Sequence, residues 1–287
     1  MKKNNCLIVL TFLIFSTTLS AQWSKGKGKG YYKLSTWSLL ADKHYTDTGE
    51  IDPNPTRGTL NISFYGEYGL TNKIDLITYI PFFTRNFQNN SVSATRGSII
   101  TEGATLDAFG DLDIGVRYGI IKNNSLALSA SLKLGLPTGE TSGGTELAML
   151  QSGDGEFNQL LQIDLGVPFN LATFPAYGKT FVGYNSRSQG FSDEVHLGGE
   201  IGIKFFNKVW LTGRLNLLKS TKNGTLDAAA ANGSIFANNI EYTNLGFGIA
   251  YYITKKLGVS YDYGSAIDGR IIAAAPSHSV GLFLDIK

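Results

Sequence analysis

The sequence has little with which to do thiol, metal or helical membrane chemistry. It holds one cysteine, Cys6, and two methionines. Cys6 stands ahead of a short apolar run near the N-terminus, where it is not placed like a lipoprotein cysteine. The rest of the chain has no thiol, which excludes disulfides, thiolate metal sites and a cysteine nucleophile there. No later stretch approaches 18 consecutive apolar residues, so there is no helical membrane span. The formal net charge is only +2, without the basic footprint that a nucleic-acid partner demands. His44, His196 and His278 are scattered, with no His-x-x-x-His pair, so neither a metal enzyme nor a bound cofactor is expected.

What is present begins with a leader. Lys2 and Lys3, the apolar run Leu7 to Phe15 and the small residues Leu19-Ser20-Ala21 read as a secretory signal peptide over 1–21, cut to leave Gln22. Residues 22–287 would then be the mature domain. Its 34 glycines and 12% aromatics suit twisted strands and turns better than helices.

Period-2 alternation recurs along that domain. Leu126, Leu128, Ala130, Leu132, Leu134 and Leu136 share one face, against Ser129, Ser131, Lys133 and Gly135 on the other. Val195, Leu197, Ile201 and Ile203 stand against His196, Glu200 and Lys204, and Leu245, Phe247, Ile249 and Tyr251 against Tyr242, Asn244 and Gly248. Twelve such segments lie near 30–41, 58–70, 74–87, 108–121, 125–137, 156–168, 176–188, 194–206, 209–221, 240–253, 257–268 and 276–287. Each is long enough for a tilted strand to cross a bilayer, which takes about 9–11 residues.

Connection lengths separate the classes. Thr71-Asn72-Lys73, Lys122-Asn123-Asn124, Asn207-Lys208 and Thr254-Lys255-Lys256 read as tight turns, with longer polar loops between them at 42–57, 88–107, 138–155 and 222–239. A soluble β-sandwich has no reason to alternate loop lengths, whereas an outer-membrane barrel places short turns in the periplasm and long loops outside. Aromatics cluster at both strand ends: Tyr68, Tyr118, Phe169, Phe205, Phe206, Trp210, Tyr251 and Tyr252 by the tight turns, and Phe83, Phe87, Phe109, Phe157, Tyr184 and Tyr242 at the other end. They read as interfacial girdles. Unpaired strand edges cost several kcal/mol per amide in hydrocarbon, so the sheet must close. The expected fold is all-β: a transmembrane antiparallel up-and-down β-barrel of about 12 strands in the outer membrane of a Gram-negative bacterium. Its partners would be outer-membrane lipid and, during biogenesis, the barrel-assembly machinery.

The faces opposite the apolar ones carry Lys33, Glu67, Asp75, Arg85, Asp111, Asp113, Arg117, Lys133, Asp164, Arg187, Glu200, Lys204, Arg214, Asp262 and Asp285, with His196 among them. These are candidate lumen-lining residues. They would form either a wet wall that passes a polar solute or a set of mutual ion pairs that plugs a barrel of intermediate bore. His196, on the same face as Glu200, reads as a proton relay, as a ligand or as one member of a hydrogen-bond network. A lipid hydrolase needs a base and a serine on one strand face. Ser277 and Ser279 flank His278 and point to the opposite side, so no catalytic residue is assigned. Gly143-Gly144 and Gly153-Asp154-Gly155-Glu156 lack the helix or the carboxylate spacing of phosphate and calcium loops and read as turns. Lys25, Lys27 and Lys29, interleaved with glycine, read as a flexible periplasmic lead.

In order along the chain come Tyr65-Gly66-Glu67-Tyr68-Gly69-Leu70-Thr71-Asn72-Lys73-Ile74-Asp75 with Pro81, then Gly110-Asp111-Leu112-Asp113-Ile114-Gly115-Val116-Arg117-Tyr118. Leu136-Pro137-Thr138-Gly139-Glu140 and Gln151-Ser152-Gly153-Asp154-Gly155-Glu156-Phe157 follow. This succession resembles the outer-membrane barrel family labelled MetA-pathway of phenol degradation, often called simply transporters, from about residue 58 to the C-terminus. The resemblance implies an outer-membrane location and passage of small solutes, hydrophobic or aromatic ones among them. It brings no catalytic residues. Gly281, Leu284 and Ile286 also look like the terminal strand that barrel assembly reads, with Lys287 in place of a final aromatic. The functional readings are therefore a solute channel, a non-conducting structural or ligand-binding barrel working through its outer loops, and a lipid-modifying enzyme.

Overall fold

The computed structural model describes residues 24–145, 148–226 and 235–287. The leader expected at 1–21, and part of the loop expected at 222–239, lie outside the described residues.

Twelve long strands form the wall: β1 (Gly30–Tyr45), β2 (Ile51–Gly69), β3 (Ile74–Gln88), β4 (Leu112–Lys122), β5 (Ala127–Leu136), β6 (Asn158–Leu171), β7 (Phe174–Arg187), β8 (Glu194–Phe205), β9 (Val209–Ser220), β10 (Glu241–Tyr252), β11 (Leu257–Arg270) and β12 (Pro276–Ile286). No helix occurs among the described residues. Each strand pairs antiparallel with the next. The ring closes where β1 meets β12, in register from Gly30 opposite Ile286 to Leu39 opposite Ser277. Closure leaves neither β1 nor β12 with an open edge, the condition for a sheet in hydrocarbon.

Alternation decides the two surfaces. Leu76, Val116, Leu132, Ile163, Leu211, Leu245, Ile249 and Leu282 stand exposed on the outer wall. So large an apolar surface is at odds with water and fits a lipid shell. Ser63, Glu67, Asp75, Ser129, Ser131, Asp164 and Phe283, of the opposite faces, are buried. Polar side chains thus fill the inside and apolar ones coat the outside, the reverse of a soluble core.

Tight turns join the strands at one end. The β8–β9 turn runs through Phe206 and Asn207, both left-handed (φ 48° and 56°). Asn tolerates that conformation better than most residues. At the other end lie three long connections, at 89–111, 137–157 and 221–240. The remaining three there are short. The loop expected at 42–57 is one of them, because β1 and β2 run on past Ala41 as a projecting hairpin and leave only 46–50 between them. Residues 89–111 and 137–157 carry short strands of their own: Ala104–Ala108 extends the sheet beside β3, and Gly143–Thr145 pairs with Ala148–Leu150.

One irregularity overturns an expectation. Ser63 of β2 stands opposite two residues of β3, since Ile62 pairs with Phe83 and Phe64 with Ile80. A bulge shifts the parity of everything beyond it. Asp75 and Ile77 are therefore buried before it, and Thr84, Asn86 and Gln88 after it. Arg85, expected inside, turns out and pairs with Asp107 of the extended sheet at 2.6 Å. The aromatic girdles also need correction. Tyr68, Tyr118, Phe169, Phe206 and Tyr251 are exposed at the short-turn end, but Trp210 and Tyr252 share the inner face with Arg214 and Asn244 and pack under Lys204. Tyr242, at the other end, also faces in and lines a cavity.

Candidate functional site

The inward side chains form two tiers. The tier nearer the short turns is a lattice of ion pairs and phenols. Glu67 accepts from Tyr65 (2.5 Å) and Arg117 (3.0 Å) and pairs with Lys25 (2.9 Å). Asp75 is fully buried, and both of its carboxylate oxygens accept from the Lys25 backbone N–H at 3.0 Å. Residues 24–29, expected as a flexible lead, are therefore docked. The Lys122 ammonium donates to the Ser24 carbonyl (2.7 Å), the Gly28 N–H donates to the Gly69 carbonyl, and the Gly69 N–H donates to the Lys29 carbonyl.

A second lattice crosses β1, β11, β9, β8 and β7. Lys33 meets Asp262 at 2.8 Å, Asp262 meets Arg214 at 2.7 Å, Arg214 meets Glu200 at 2.5 Å, and Tyr177 donates to Glu200. Asp164 accepts from Gln162 (2.8 Å) and faces Lys179 (3.7 Å), and Lys133 lies in the field of Asp113 and Asp164. Lys204 holds its ammonium over the Tyr252 ring (5.2 Å) and the Trp210 ring (5.8 Å). Of the candidates, Lys33, Glu67, Asp75, Asp113, Arg117, Lys133, Asp164, Glu200, Lys204, Arg214 and Asp262 belong to this tier.

Two further candidates sit higher. Asp111 precedes β4, and its carboxylate accepts from the backbone N–H groups of Gly139 (2.9 Å) and Asp154 (3.0 Å), tying two loops together. His196 contacts Glu194 at 3.0 Å, while Glu200 turns to Arg214 and Tyr177.

Above the lattice, at the long-loop end, lies a cavity of about 500 Å³. One wall is apolar: Trp37, Leu39, Leu218, Ile240, Tyr242 and Ile272. Leu218 and Ile240 pack with Ile271 and Ala237, so the loop before β10 folds inward. The other wall is polar: Asn158, Asn185, Asn216 and Asn244 of the strands, with Asp154, Glu156, Arg187 and Glu194. Arg187 gathers the three carboxylates, donating to Glu156, to Glu194 (2.8 Å) and to Asp154 (2.9 Å). Burial of the Asp154 carboxyl, with Glu156 beside it, raises its pKa to about 7 against the pull of Arg187. Burial raises Glu156 as well. Sequence reasoning placed Arg187 inside and set Tyr242 and Asn244 on the polar face without making them candidates, and it passed over Trp37, Asn185 and Asn216. Parity alone puts Asn216 with Arg214 and Asn244 with Tyr242.

No family model matches the chain, and no curated protein matches it. Solved structures do. The COG4313 outer membrane channel from Pseudomonas putida F1 superposes with a TM-score of 0.59 at 14% identity, over 94% of this chain and 100% of that one. The beta domain of the Bordetella autotransporter BrkA superposes with a TM-score of 0.51 at 14% identity, over 91% of this chain and 100% of that one. Likeness at such identity is a likeness of fold: a closed 12-stranded antiparallel barrel of the outer-membrane type.

Proposed function

We propose that the chain is an outer-membrane channel of a Gram-negative bacterium that passes small solutes, amphipathic or aromatic ones among them. The carrying observation is the two-tier interior: a roomy half-apolar chamber at the outer end, and below it a lattice of ion pairs and hydrogen bonds between side chains. The short turns would face the periplasm. Trp37, Tyr242 and Leu218 give an apolar body a surface, while the ion-paired tier beneath sets the conductance. The leader at 1–21 would direct export, and the mature chain should begin at Gln22 when its N-terminus is sequenced. The shared fold with an outer membrane channel supports this reading. Planar-bilayer recording and liposome swelling test it: low conductance in the parent should rise when Lys33→Ala and Arg214→Ala open the lattice. A folded barrel that passes neither ions nor small solutes in either form would remove the channel reading.

A second reading, a non-conducting ligand-binding barrel, is favoured by the burial of Asp75 and Asp164 at 0% and 3% exposure, which leaves little water on that side of the inner tier. Ligand uptake without flux in the same experiments would select it.

A further inference from the structure

We infer that the outer chamber is a binding site for small organic cations with an apolar body, alkyl- or arylammonium ions. The inference rests on the channel reading only in putting this chamber on the solute's route.

Acceptors outnumber donors here. One guanidinium, Arg187, faces the carboxylates of Asp154, Glu156 and Glu194, and all three of its nitrogens are engaged by them. An incoming carboxylate or phosphate would find no free edge of that guanidinium and would meet surplus negative charge. An ammonium meets the reverse: oxygen acceptors, and charge that concentrates cations in a confined cleft.

Asn185 supplies the independent observation. Its side chain is buried at 6% exposure and lines the chamber. Its Nδ2 donates to Glu194 (3.2 Å), yet its Oδ1 accepts no hydrogen bond among the described residues. Rotating the amide would set Oδ1 against the Glu194 carboxylate, so the surroundings fix this orientation. A buried acceptor without a donor is unfavourable, and a small shift of the amide toward the chamber that it lines would let an N–H from a ligand satisfy it. Across the chamber Trp37 and Tyr242 contribute aromatic rings, whose faces attract cations, and Leu218 and Ile240 receive the apolar body.

The test is calorimetric titration of the purified, folded barrel in nonionic detergent with three probes of one shape: phenethylammonium, 2-phenylethanol and phenylacetate. Phenethylammonium should bind about tenfold or more tighter than either of the others. Glu194→Gln and Asn185→Leu should each remove most of that preference while heat-modifiable mobility shows the barrel intact. If Glu194→Gln does not fold, Trp37→Leu, which touches none of the charges, takes its place and should weaken phenethylammonium binding by a similar factor. Equal or tighter binding of phenylacetate or 2-phenylethanol, no binding of any probe, or full preference in folded variants would overturn the assignment. Binding is read without flux, so amine-selective binding by a barrel that never conducts removes only the channel reading. Conduction without amine preference removes only this one.

Discussion

Arg117 on β4 reaches over β3 to Glu67 on β2, with 3.0 Å between guanidinium and carboxylate. Both side chains are nearly withdrawn from solvent, at 13% and 10% exposure. Removing Arg117 leaves Glu67 with Lys25 and Tyr65 alone and takes a cation away from Asp75. Because Lys25 still offsets Glu67, Arg117→Met should cost less than the about 3–5 kcal/mol of a fully stranded charge, and the double variant Arg117→Met, Glu67→Gln should recover part of it. Reversible unfolding in urea from a lipid or micelle host, run as a double-mutant cycle, measures both.

Gly202 makes room for a phenol. A Cβ built there would overlap the ring of Tyr177, which donates to Glu200. Gly202→Ala should force that ring aside, at a cost of about 1–3 kcal/mol typical of overpacking. It should also loosen Arg214 by weakening the Glu200 end of its lattice. Unfolding free energy, with single-channel current as the second readout, checks this. A variant with unchanged stability and current would show that Tyr177 has another place to go.

The outer surface answers differently to the same kind of change. Leu245 stands on the lipid side near the middle of β10, at 45% exposure. Leu245→Arg should destabilise the inserted barrel by about 2–4 kcal/mol, as a cation near the bilayer centre does. Asn244→Arg, one residue away but on the chamber side, should cost far less. Comparable costs at the two positions would contradict the assignment of faces.

Acidity should tighten one loop. Asp154 titrates near 7 where it is docked, above the ordinary 3.8 that it regains once released, and Glu156 shifts the same way. The docked loop therefore binds protons more strongly than the released one. Docking is fully favoured below the released value and weakens as pH rises through about 7. Arg187, Asp111, Glu194 and His196 are the other charged or titratable groups around it. Hydrogen exchange at the amides of Gly153, Asp154 and Glu156, corrected for intrinsic rate, should show less protection at pH 8 than at pH 5.5. Equal or greater protection at pH 8 would refute the sign.

Alternation over Leu126 to Leu136 and over Val195 to Phe205 was enough to fix strand and face, because a wall with lipid on one side and side chains on the other leaves a period-2 record. The same record assigns Trp210 to the face of Arg214 and Tyr252 to that of Asn244. Grouping aromatics by their nearness to turns discarded that information and placed both in the lipid girdle. Arg85 was beyond reach for a different reason. The bulge opposite Ser63 is a property of the β2–β3 pairing, and no local pattern in either strand announces a parity change. The chamber was illegible for a third reason. Its walls join Trp37 to Asn185 and Ile240 through ring closure and infolded loops, so residues far apart in sequence become neighbours only once the barrel exists.

The seam between β1 and β12 has its own corollary for how such a chain is made. The first strand of the barrel waits for the twelfth, so one of its flanks stays raw until β12 has been made. A chain released eleven strands long would not be a narrower pore. It would be an open ribbon with two sticky margins, and whatever escorts it to the membrane has to shield those margins until Leu34 and Leu282 stand side by side.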